Sequence, residues 1–239
     1  MLQKTQGIVL KTTKYAETSL VADIYTQMFG LQTYLINGVY KPRSRFPKAL
    51  LQILSVLELE VYHRPTEGLN RLKELKIHCI VHDLYTHPHK QAATMFVAEL
   101  LQQTLHTEEQ DDTLFDFLVS SILFFEHTPY SVFNVLAFVI ELSTFLGFQL
   151  YANYHPQTHT LFNLNDARFD ASLSSNRLYA AKDASRLIGL LLQNQPFEHK
   201  NVPRQTIIHT FETMFRYYKL HLPTFGTIKS FDFLMDTTA

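Results

Sequence analysis

The order of apolar and polar residues changes character about one third of the way along the chain. In the first part, apolar residues come in short β-branched runs. Residues 7–12 (GIVLKT), 20–26 and 31–39 are such runs, with Phe29 and Gly30 as punctuation between the last two. Residues 53–62 alternate with period two: Ile53, Leu57, Leu59 and Val61 share one face, Glu58 and Glu60 the other. Arg64 to Gly68 reads as a turn. Residues 69–77 form a fifth run whose alternation slips between Leu72 and Leu75, so a bulge or the absence of a strand are both open. Five short strands in succession predict a small β-barrel.

The second part carries helical spacing. Ile207, Phe211, Met214 and Tyr218 form one stripe, Ala180, Ala184, Leu187 and Leu191 another, and Leu114, Leu118, Ile122 and Phe125 nearly a third. Thr128 and Pro129 predict the N-cap and first turn of a helix over 130–147, with Gly147 near its end. That helix is apolar almost all round, which places it at the centre of a bundle; its polar interruptions argue against a membrane span. Residues 150–178 read as an irregular insertion with a short hairpin through Thr160, Leu161 and Phe162. The fold class expected is α+β: a five-stranded β-barrel over residues 1–78, then an α-helical bundle over 79–239, with the break near His87-Pro88.

Composition narrows the function. Hydrophobic residues make up 46% and charged residues 18% of 239, which excludes a disordered chain. One cysteine, Cys79, excludes an internal disulfide and any zinc site built on several thiolates. No secretory signal is evident at the N-terminus, so a soluble cytoplasmic protein is expected. The net charge of −1 hides an asymmetry. Residues 1–76 hold eleven Lys and Arg against six Asp and Glu, a net of +5, and residues 77–239 hold ten against sixteen, a net of −6. A basic front and an acidic rear suggest that one part meets a polyanion.

The sharpest local feature lies in that basic front. Lys41, Arg43, Arg45 and Lys48 fall close together, with Tyr40 and Phe46 alongside and Pro42 and Pro47 keeping the chain extended. An extended cationic segment tracks a phosphate backbone by releasing condensed counterions, and aromatic rings stack on unpaired bases. A solubilising surface loop is the alternative.

Other chemistry is less defined. His78 and His82, His155 and His159, and His87 and His89 are spaced as pairs, but no third metal ligand is fixed by spacing. Solvated or hydrogen-bonded histidines are the expectation. No nucleophile elbow, phosphate loop or dinucleotide fingerprint occurs, so no enzyme is expected. Asp111-Asp112 and Glu108-Glu109 read as a solvated loop and the first turn of a helix.

Two segments resemble a known family. The opening stretch shows Val9-Leu10, Tyr15-Ala16-Glu17, the step from Thr26 to Gly30, and the basic loop from Gly38 to Ser44. The tail from Arg216 to Ser230 contains His221-Leu222-Pro223-Thr224-Phe225-Gly226. Together they resemble the bacterial RecO family of recombination-repair proteins. The resemblance implies an OB-fold followed by a helical bundle. It also implies a DNA-binding protein without turnover, working at the nucleoid. Such a protein binds single- and double-stranded DNA, anneals complementary strands, contacts the C-terminal tail of the single-strand-binding protein SSB, and with RecR helps load RecA. On this basis Lys41, Arg43, Arg45 and Lys48 become phosphate contacts; Lys11 and Lys14 are additions from the charge pattern, not from matched family residues. Tyr40 and Phe46 are stacking candidates from their place in the loop. Many members carry a four-cysteine zinc module in the helical part; residues 150–178 contain no cysteine, so no zinc and no other cofactor is expected. Arg204, Arg216 and Lys219 are candidates for the SSB tail by charge alone. The competing reading is an OB-fold module that binds RNA or a protein partner.

Overall fold

A computed structural model describes residues 2–41, 43–62, 69–105 and 110–237. Five strands, β1 (Leu2–Lys14), β2 (Leu20–Thr26), β3 (Gly30–Ile36), β4 (Val56–Tyr62) and β5 (Asn70–Cys79), close into a barrel in the order β1-β2-β3-β5-β4. Neighbours are antiparallel except β3 and β5, which run parallel through Tyr34–Asn70 and Leu35–Arg71. This is the five-stranded arrangement of an OB-fold.

The barrel interior follows from the alternation. Leu57, Leu59 and Val61 of β4 join Val9, Ala22, Ile24, Tyr34, Leu72 and Leu75 in one core. Glu58 and Glu60 face outward, as period two requires. The slip in the fifth run is a bulge: Glu60 pairs with Glu74 but Val61 with Leu72, leaving Lys73 as the extra residue. In β1, Ile8 and Leu10 are as fully buried as the core residue Val9. The reason is a helix over Pro88–Thr104 that packs on β1 and whose Gln102 amide donates to the Leu10 carbonyl at 2.9 Å.

Three strand limits differ from expectation. β1 begins at Leu2, because residues 2–6 pair with Tyr62 to Glu58. β3 stops at Ile36, where Asn37 and the left-handed Gly38 (φ +77°) turn the chain away. β4 starts only at Val56, since Leu54 has φ +63° and breaks the extended run that would have included Ile53. The turn expected at Arg64 to Gly68 and the acidic pair Glu108-Glu109 lie outside the described residues.

The helices are α1 (Asp83–Thr86), α2 (Pro88–Thr104), α3 (Asp112–His127), α4 (Val132–Phe145), α5 (Lys182–Leu192), α6 (Arg204–His221) and α7 (Ser230–Asp236). Two compact units result: residues 1–130 with 228–237, and residues 131–227. In the first, α1, α2, α3 and α7 accompany the barrel. Pro88 opens α2 at its first turn, where its missing N–H costs nothing. Asp111 caps α3, its carboxylate accepting from the Leu114 N–H at 2.9 Å. Glu126 at the end of α3 accepts the N–H groups of His82, Asp83 and Leu84 at 2.9–3.1 Å, which fixes α1. Glu99 of α2 accepts the backbone N–H groups of Lys229 and Ser230 and so holds the start of α7.

In the second unit, α4 is buried along most of its length and packs against α5 and α6. The helix does not begin at Thr128 and Pro129. Thr128 instead ends α3, its hydroxyl donating to the Phe124 carbonyl, because a residue preceding proline is driven out of helical conformation. Ser131 is the N-cap residue of α4. At the other end Gly147 (φ +87°) closes a Schellman motif, with Phe148 N–H on the Ser143 carbonyl and Gly147 N–H on that of Thr144. The expected hairpin is present as β6 (Leu161–Asn163) and β7 (Arg168–Asp170). A polar network fastens it: Asp170 accepts from Asn163 at 2.8 Å, Tyr179 at 2.9 Å and Arg168 at 3.2 Å. Among the described residues no helix is long and apolar enough to cross a membrane.

Candidate nucleic-acid interface

The basic loop leaves β3 as an arch pinned at both feet. Asn37 accepts a hydrogen bond from the Ser19 hydroxyl at 2.9 Å, and Lys41 N–H closes the turn onto the Gly38 carbonyl at 3.1 Å. Val39 is buried in the barrel core at one foot and Phe46 at the other. Between them Ser44 N–H donates to the Lys41 carbonyl, and the Ser44 hydroxyl both accepts from Phe46 N–H and donates to its carbonyl, each at 3.0 Å. Arg43 takes the left-handed conformation, φ +59°. Lys41, Arg43 and Arg45 are therefore held outward and exposed. Pro42 lies outside the described residues. After Pro47 a 3-10 turn, Lys48–Leu50, returns the chain toward β4.

The arch converges with the end of β1. Tyr40 N–H donates to the Thr18 carbonyl of the β1–β2 connection at 3.4 Å. The exposed Tyr40 ring has Lys14 Nζ at 5.8 Å and Lys48 Nζ at 5.5 Å from its centroid, within cation–π range. Lys14, Tyr40 and Lys48, distant in sequence, are thus one cluster. Lys11 lies further down β1, with Asp23 as its cross-strand neighbour. That carboxylate accepts from the Thr33 hydroxyl at 2.8 Å.

Several cations elsewhere are paired. Lys73 and Lys4 both reach Glu60, at 2.8 and 3.6 Å, and Lys76 reaches Glu74 at 3.4 Å. Lys90 lies 3.6 Å from Asp83, and Arg168 and Arg177 are bound by Asp170 and Asp166. Among the described residues, no carboxylate comes within 4.0 Å of Lys11, Lys14, Lys41, Arg43, Arg45 or Lys48. The cation excess of the first part is partly cancelled on β1, β4 and β5 and left uncancelled around the arch.

One candidate is corrected. Phe46 is 9% exposed and belongs to the barrel core, so its ring has no free face for a base. Arg45 lies over that ring at 5.9 Å, and the residue anchors the arch instead of touching a ligand. Arg71, which the loop pattern does not single out, lies beside the arch. It is exposed on β5 opposite Leu35, next to the end of β3 from which the arch departs. Its signal was available: Leu72 points inward, so Arg71 must point out.

Arg204, Arg216 and Lys219 all fall on α6 and are exposed; Arg216 and Lys219 are one turn apart, Arg204 three turns away. Residues 150–178 do not fit a four-cysteine zinc module. They lack cysteine, their place is held by the Asn163–Asp170 network, and no group of three or more His, Cys, Asp or Glu among the described residues could hold a metal. Burial raises the pKa of the Cys79 thiol, which disfavours the thiolate a nucleophile needs.

Comparison with known proteins covers nearly the whole chain. Residues 1–80 match the family described as "Recombination protein O N terminal", and residues 86–227 match "Recombination protein O C terminal". A protein of Phocaeicola vulgatus named DNA repair protein RecO is 35% identical over 243 residues, covering 99% of each chain. Those of the same name from Bacteroides fragilis and Christiangramia forsetii are 33% and 32% identical, over 99% and 98% of both chains.

Proposed function

The chain belongs to the RecO family of recombination and DNA repair proteins, and we propose that it acts there as a non-catalytic DNA binder and strand-annealing mediator. The observation that carries this reading is the set of cations without a carboxylate partner on the arch and the adjoining β1, two of which, Lys14 and Lys48, flank the exposed ring of Tyr40. Unpaired surface cations gain most from phosphate, because no internal carboxylate must be displaced first. Lys41, Arg43, Arg45 and Lys48 make the principal phosphate contacts, Lys14, Lys11 and Arg71 extend them, and Tyr40 offers a stacking face to an unpaired base. The barrel, residues 1–78, is the DNA-binding domain. It takes single- and double-stranded DNA, since phosphate contact alone does not discriminate.

Annealing follows from neutralised charge. Two complementary strands repel each other, and a cationic surface that holds both phosphate backbones lowers that repulsion while leaving base edges available. The acidic helical part, net −6 over residues 77–239, confines DNA to the barrel. In the cell the protein works in the cytoplasm at the nucleoid, with RecR and the SSB tail, to help load RecA. Arg216 and Lys219 on α6 are the cations offered to that acidic tail.

Stopped-flow annealing of complementary oligonucleotides, bare and SSB-coated, tests the proposal. Acceleration is expected with both. Equal affinity for RNA with no acceleration of annealing would favour a passive OB-fold module.

A further inference from the structure

A cleft of about 550 Å³ opens beside the arch, between the 3-10 turn at Lys48 and helices α1 and α2. Leu51 and Leu84 are buried in its wall, and Met95 stands exposed at the rim. Gln52 and Gln91 are among the lining residues too, with the Gln91 amide N–H already donating to the Tyr85 carbonyl. Among the described residues Lys48 is the single charged residue of the lining, and it is the same lysine that approaches Tyr40. Thr12, on β1 between Lys11 and Lys14, lines the cleft as well, so cleft and cationic surface share a border.

That combination selects a ligand. The volume lies within the range of about 300–1,000 Å³ usual for small-molecule sites. Apolar walls suit a flat ring, and amides pair donor with acceptor as base edges do. No carboxylate among the lining residues would repel a neighbouring phosphate. We propose that the cleft receives one unpaired nucleobase from a strand whose phosphates lie on Lys14 and Lys48. The proposal rests on the nucleic-acid reading of the arch and adds a base-binding pocket to it. A paired, stacked base cannot enter without leaving its duplex, so the cleft favours single strands.

The test uses the full chain and two labelled oligomers of equal length and charge: an oligothymidylate and its abasic counterpart. Affinities are read by fluorescence anisotropy. Wild type should prefer the base-bearing strand. Ala49→Trp, which fills the cleft from its exposed lining residue, should lose about tenfold of that preference and keep its abasic affinity. Met95→Ala, which removes the rim, should lower the preference too; melting curves confirm that each variant folds. Unchanged preference in both variants overturns the cleft assignment. Equal wild-type affinity for the two strands also overturns it, while leaving the phosphate contacts standing. Wild type that binds neither strand defeats the underlying reading as well. If Ala49→Trp abolishes binding of an acidic, apolar peptide and changes neither strand's affinity, the cleft is a peptide site and the proposal falls.

Discussion

Lys48 Nζ lies 5.5 Å from the centroid of the Tyr40 ring, although the two residues sit on opposite feet of the loop that separates them. The contact orients the ring at the surface without covering it, since Tyr40 remains 38% exposed. A partly exposed ring with two lysines close by can stack on a base while those cations meet the adjoining phosphates. Tyr40→Ala should therefore weaken single-strand binding by about 1–3 kcal/mol and change duplex binding little. Anisotropy titrations with the two forms of one sequence measure the difference.

Phe46 has the opposite role. It fills the barrel core, and its backbone is locked to Ser44. Phe46→Ala should cost about 3–5 kcal/mol of stability, with loss of affinity only through release of the arch. Thermal or urea unfolding reads the first effect. Phe46→Leu should restore most of it, which a base-stacking residue would not allow.

Glu126 makes the first unit sensitive to acid. Burial on its own would raise its pKa, but the N–H groups of Asp83, His82 and Leu84 together outweigh burial and hold the carboxyl below its ordinary value. A carboxylate with a lowered folded pKa contributes stability that is complete above the ordinary glutamate range. That contribution is lost as pH falls through the folded value. Glu126→Gln should flatten this acid-side loss in unfolding midpoints measured from pH 7 down to about 3, and should be less stable than wild type at neutral pH by about 3 kcal/mol.

Gly189 on α5 tests the packing of the second unit. A Cβ there would stand 2.2 Å from Cγ of Tyr154, whose ring meets Phe169 of the hairpin edge-on at 5.3 Å. Gly189→Ala should lower stability by about 1–3 kcal/mol, seen as a reduced melting temperature.

Much of the architecture was legible in the residue pattern, for reasons that differ by element. β2 and β4 show alternation because one face of each is buried, whereas the slip in the fifth run left bulge and non-strand open until its pairing located the extra residue at Lys73. The stripes of α5 and α6 follow burial of one side. Helix α2 left no readable stripe, as its buried residues, Lys90 and Thr94 among them, lie on most of its faces. Thr128-Pro129 carried a start signal but serves as a stop, since both roles use the same residues and only the following Ser131 separates them. At the site, charge was readable and burial was not. Lys41, Arg43 and Arg45 stood out as a cluster, whereas Phe46 looked like a loop aromatic until the core claimed it. The approach of Lys14 to Tyr40 depends on the lateral pairing of β1, β2 and β3, with Lys14 opposite Leu20 and Leu20 opposite Ile36, which no local window contains.

The central claim is that uncompensated cations on the arch hold nucleic-acid phosphates. The salt dependence of single-strand binding tests it most directly, comparing wild type with Lys41→Ala/Arg43→Ala/Arg45→Ala. At about 0.7 counterions released per phosphate neutralised on a single strand, the triple variant should lose about two units of log–log slope. An unchanged slope and affinity in a folded triple variant would contradict the account.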